Sequence, residues 1–164
     1  MTNLFTYQVE RRFLNLHLKA GCSGGPMDGT HRPACATLQR QVQALQAWVD
    51  VQTDARRRFV LLGDFNRDLR ADRRHPARHD GSDPATPIGD ASRIRNLWPE
   101  LDAGRAAHTL QLVEPERRAA RAAGCMVSLD HLAVSGETEP PTARLLPTPA
   151  DASDHCPLLA RFAR

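Results

Sequence analysis

Lysine is almost absent from this chain. Of its 22 basic side chains only Lys19 is a lysine, so arginine carries the positive charge. The planar arginine fork suits carboxylates and phosphates. Yet the net charge is only +3 and aromatic residues make up 5% of the chain, too few to interleave with basic residues as a base-stacking platform does. No apolar run approaches the ~18 residues needed to span a bilayer. Met1–Glu10 has neither the basic start nor the apolar core of a secretory leader. The four cysteines include no C-x-x-C pair, which argues against a zinc site. They read either as small buried thiols or as one or two disulfides. Cys22–Cys35 is the better candidate bridge because the loop between them is short, and a bridge there implies a protein outside the cytoplasm. With 164 residues and no repeat or linker, one domain over 1–164 is expected.

Hydrophobic periodicity orders the rest. Arg12 to Ala20 alternates, with Leu14, Leu16 and Leu18 on one side and Phe13, Asn15, His17 and Lys19 on the other, which predicts a half-buried strand. Gly21 to Pro33 is a loop rich in glycine and proline. From Ala34 to about Ala55, Leu38, Val42, Leu45 and Val49 recur at helical spacing beside Trp48, giving an amphipathic helix. Phe59 to Leu62 is a buried strand ending at Gly63, so strand, helix and strand form a crossover unit with parallel strands. Arg67 to Ser92 is long and polar, with Arg67, Arg70, Arg73, Arg74 and Arg78 among Asp68, Asp72, Asp80 and Asp83. Two readings stand for it: a solvated, self-paired loop, or arginines that reach phosphates. Ile94 to Leu101 reads as a short helical piece ending near Pro99, and His108 to Val113 as a strand. Glu114 to Ala123 is an exposed turn or helix. Cys125 to Ser135, Ala143 to Leu146 and Pro157 to Phe162 complete the strands.

The chemistry-bearing residues sit at strand ends. Asp64 and Asn66 follow the Phe59–Leu62 strand, where ligands bind in open α/β sheets. One is a carboxylate able to take a proton from water or hold a cation. The other is an amide that can donate to a developing oxyanion. Asp130 lies within an otherwise apolar strand, where an acid is costly unless paired. His131 points to the opposite face, so His155 is its expected partner. A carboxylate beside a histidine favours the charged imidazole.

Taken together and in order, Asn15-x-His17, Gly63-Asp64-Phe65-Asn66, Leu129-Asp130-His131 and Ser153-Asp154-His155-x-Pro157 resemble the endonuclease/exonuclease/phosphatase superfamily. Its members include DNase I-like nucleases, apurinic endonucleases, sphingomyelinases and inositol polyphosphate phosphatases. The resemblance runs from about Phe13 to Phe162. It implies an α/β (α+β) fold, the C-terminal half of a four-layer α/β/β/α sandwich, here one mixed sheet with helices on one face. It also implies a metal-dependent phosphoesterase, nuclease-like in its attack on phosphodiesters, with Mg²⁺ or Mn²⁺ as cofactor. Asp64 would orient the attacking water, Asn66 would donate to a phosphoryl oxygen, and His155, held by Asp130, would grip the phosphate. His17 would act as acid or phosphate contact, and Asp154 would be a metal ligand. The substrate would be a phosphate ester, nucleic acid among the options.

The chain departs from the family pattern in one respect. The Gln-Glu pair whose glutamate is a principal metal ligand in the family does not occur. The expectation is therefore a domain lacking its N-terminal half, a poor catalyst or none by itself. Its inner apolar sheet face would be left to that half or to another chain. The alternative is a catalytically silent remnant or partner-binding module.

Overall fold

The computed structural model describes residues 10–28, 31–74, 94, 96–102, 110–115, 129–136, 139, 141–149, 151, 153 and 155–162. Strand β1 (Arg11–His17) is followed by helix α1 (Pro33–Asp54) and strand β2 (Arg58–Asp64). Two short helices come next, α2 (Leu69–Arg74) and α3 (Leu97–Leu101). Strands β3 (Leu110–Val113), β4 (Asp130–Ser135), β5 (Thr142–Leu145) and β6 (Leu158–Arg161) complete the order. The main sheet is mixed, in the order β1-β2-β4-β3, and β1 and β2 run parallel as the crossover reading expects.

Alternation along the strands divides the core in two. Phe59, Leu61 and Ala133 face α1, whose Leu38, Val42, Leu45 and Val49 are all buried against them. Trp48 meets Phe59 edge-to-face at 5.4 Å. Val60, Leu132 and Val134 face the other way, onto a second cluster that includes Leu158, Ala160 and Phe162. Here the structure corrects an expectation. β5 and β6 pair with each other as a separate two-stranded sheet and cover part of the inner face that was expected to be bare. The β1 margin stays open there: Phe13 is 63% exposed.

Several boundaries also shift. Pro99 lies inside the first turn of α3 rather than at its end, a position where a missing N–H is tolerated. The polar stretch after Asn66 is neither wholly a loop nor wholly solvated. Arg67 is fully buried and Asp72 nearly so, bonded to each other at 2.8 Å, while Arg70 and Arg73 both approach Glu114. Arg78, Asp80 and Asp83, the strand start at Cys125, and most of the stretch 114–123 lie outside the described residues.

Cys22 and Cys35 are bridged, with their Cα atoms 5.1 Å apart. Cys156 is disulfide-bonded as well. Among the described residues no helix is long and apolar enough to cross a membrane.

Candidate active site

Strand register builds the site. His17 of β1 pairs with Asp64 of β2, and Asp64 pairs with Asp130 of β4. Directly opposed residues share a sheet face, so three polar side chains stand in a row across three strands. This is the face carrying Val60 and Leu132, at the end of the sheet where β1 and β2 finish.

Two carboxylates directly opposite each other repel, and such a pair does not stabilise a sheet. Each is matched by other groups. The Asn66 backbone N–H donates to Asp64 Oδ1 at 2.7 Å, and its Nδ2 donates to Asp64 Oδ2 at 2.9 Å. His17 Nε2 lies 3.8 Å from Asp64 Oδ2, on a side chain 82% exposed. Across the row, His155 Nδ1 donates to Asp130 Oδ2 at 2.5 Å. That bond orients the imidazole and sets its tautomer. The approach to His155 was expected from the cost of an acid in an apolar strand, and the two side chains do meet.

The His155 turn is shaped locally. The backbone N–H of His155 donates to Ser153 Oγ at 3.0 Å, and Leu146 N–H donates to Pro157 O at 2.9 Å, tying the loop back to the β5 end. Between this loop and the sheet lies a cleft of about 330 Å³. Asp130, His131, His155, Ser153 and Thr148 contribute its polar lining, and Leu62, Leu132 and Leu158 its apolar walls. Thr148 carried no signal in the sequence beyond its place between two prolines.

Asn66 sits at φ 50°, in the left-handed region that asparagine tolerates. Both amide hydrogens are engaged, one by Asp64 Oδ2 and one by Leu18 O at 2.8 Å. The side chain is buried. Its geometry suits holding Asp64. His131 faces the helix side, as expected from alternation. It is buried against Phe65 with its Nε2 2.9 Å from Arg67 O. Arg67 is the residue that sequence reasoning placed wrongly, since nothing in a run of mixed charge distinguishes a buried arginine from a solvated one.

The described residues do not by themselves fit a hard divalent cation. Among them no group of three or more His, Cys, Asp or Glu side chains is arranged to hold a metal ion. Asp64 and Asp130 face partners that already engage them. Asp154, the expected metal ligand, lies outside the described residues.

The strand ends of the mixed sheet thus bring carboxylates and imidazoles together beside a cleft. Residues 4–155 match the model of the Endonuclease/Exonuclease/phosphatase family, and the chain belongs to that family, one of nuclease- and phosphatase-type hydrolases acting on phosphoester or nucleic-acid substrates. Comparison with curated proteins gave no match, and neither did comparison with solved structures.

Proposed function

We propose that the cleft hydrolyses phosphoesters, phosphodiesters foremost, in nuclease-like fashion. The observation that carries this is the His17–Asp64–Asp130 row with His155 bonded to Asp130 on the same face. Asp64 orients the attacking water and takes its proton. His155, set by Asp130, grips a phosphoryl oxygen and exchanges a proton through Nε2. His17, exposed beside Asp64, serves the leaving oxygen. Asn66 keeps Asp64 in place. The family is generally divalent-metal dependent; Mg²⁺ or Mn²⁺ would neutralise the phosphoryl oxygens. Its carboxylate ligands would have to include groups beyond the described set, with Asp154 the first to examine. The reading of the chain as the C-terminal part of a larger domain belongs to this proposal, and a missing ligand makes low turnover the expectation.

A second reading is a partner-binding module that does no chemistry. The exposed Phe13 on the β1 margin favours it, since a second chain would cover that ring. One experiment separates the two. The 164-residue chain is assayed with bis-p-nitrophenyl phosphate and plasmid DNA across Mg²⁺ and Mn²⁺. Turnover, however slow, that disappears in Asp64→Ala and His155→Ala supports the hydrolase. Turnover indifferent to both substitutions refutes the assignment of the site, and none with any cation favours the silent module.

A further inference from the structure

Arg67 takes no part in the cleft, yet it is the largest fully buried side chain among the described residues. A guanidinium stays charged in a protein, so burial demands full pairing. Its Nε donates to Asp72 Oδ2 at 2.8 Å. Nη2 donates to Gly25 O at 2.7 Å and to Asn96 Oδ1 at 3.0 Å, and Nη1 donates to Cys22 O at 3.0 Å. Two of these four acceptors are main-chain carbonyls of one loop, and the Cys22–Cys35 bridge ties that loop to the start of α1. Asp68 N–H adds a bond to Ser23 O at 3.1 Å. On its other side Arg67 is one peptide bond from Asn66, whose amide holds Asp64 and Leu18 O.

We propose that Arg67 is a positioning residue for Asp64 and that the Cys22–Cys35 disulfide acts through it, so that the Asp64 side of the cleft is set only in the oxidised protein. The functional consequence rests on the hydrolase reading of Asp64; the placement does not. Opening the bridge frees the loop that carries the Cys22 and Gly25 carbonyls. A buried guanidinium that loses two acceptors must move to find others or water, and it carries Asn66 with it. Asp64 then loses the two donors that fix its carboxylate. A role confined to stability would instead loosen the α1 face and the corner together.

The test is amide hydrogen exchange, residue by residue, on the full chain in three forms: native, Cys22→Ser/Cys35→Ser, and Arg67→Lys. The lysine keeps a charge for Asp72 without the fork that spans both carbonyls. In both variants the Asn66 and Asp68 amides should exchange at least about 10-fold faster, while Ala133 and Val134 in the sheet centre keep their native rates. Combining the substitutions should add little, because both break the same path. If the serine variant unfolds, every amide quickens together and Arg67→Lys decides. Where turnover is measurable, kcat should fall about 100-fold with KM nearly unchanged, as for a misplaced reacting group. Unchanged Asn66 exchange in Arg67→Lys, or effects of the two changes that multiply independently, would overturn the proposal. The exchange readout stands even if no substrate is turned over.

Discussion

Asn66 shows how one residue serves backbone and site at once. At φ 50° it occupies a conformation that costs most residues roughly 1–2 kcal/mol and glycine almost nothing. Its side chain also satisfies the Leu18 carbonyl and Asp64 Oδ2, while its backbone N–H holds Asp64 Oδ1. Two substitutions separate these roles. Asn66→Gly should cost only about 1 kcal/mol, the net loss of side-chain hydrogen bonds offset by a relaxed backbone. Asn66→Ala should cost about 2–3 kcal/mol, because strain is added to the same losses. Urea unfolding midpoints check the order, and both variants should lose hydrolysis alike. Equal stability of the two would mean that φ is not under tension here. At Asp130 the expected behaviour is the reverse. Asp130→Asn is nearly isosteric and should leave the melting temperature almost unmoved, while turnover falls by about 10²-fold or more as His155 loses the acceptor that sets its tautomer.

Among elements, the β1–β2 pair carries the tightest constraint. Gly63, at φ 122°, lies against the Leu16 carbonyl and Asn15 Oδ1, and a Cβ there would collide with backbone. Gly63→Ala should therefore destabilise by about 3 kcal/mol or more and shift His17 relative to Asp64, read as a lower denaturant midpoint. These elements were also the most legible in the sequence. The alternation Leu14, Leu16, Leu18 and the helical spacing Leu38, Val42, Leu45, Val49 each bury one continuous face, so local pattern and tertiary packing agree. The pairing of Asp130 with His155 was legible for a different reason: an acid in an apolar strand needs a partner, and few were on offer. What stayed hidden depended on contacts far apart in sequence. Arg67 looks like its charged neighbours until the 22–25 loop folds over it. The β5–β6 pair could not be told from two more strands of the main sheet, because an apolar strand does not reveal which neighbour it joins.

For the molecule as a whole, two clusters on opposite faces of one sheet divide the labour. The α1 side is the larger and is stapled by Cys22–Cys35. The β5–β6 side is smaller and carries the cleft, with Cys156 in a disulfide beside His155. Closing a loop of this length contributes on the order of 3 kcal/mol through the unfolded state. The Cys22→Ser/Cys35→Ser variant should accordingly melt lower by roughly 5–15 °C, since each kcal/mol shifts a domain near this size by a few degrees. A melting point unchanged by the loss of the bridge would show that α1 packing alone holds the loop.

The central claim is that Asp64, Asp130, His17 and His155 form one phosphoester site, and histidine ring NMR tests it most directly. Dimethyl phosphate, a diester stable to hydrolysis, is titrated into the full chain with Mg²⁺ while the ring signals of His17, His131 and His155 are followed. Saturable shifts are expected at His17 and His155, and much smaller ones at His131, whose buried ring packs against Phe65 of the α1-side core. Loss of the His155 response is expected in Asp130→Asn. Ring signals of His17 and His155 that stay still at saturating diester, or that move no more than His131, would contradict it.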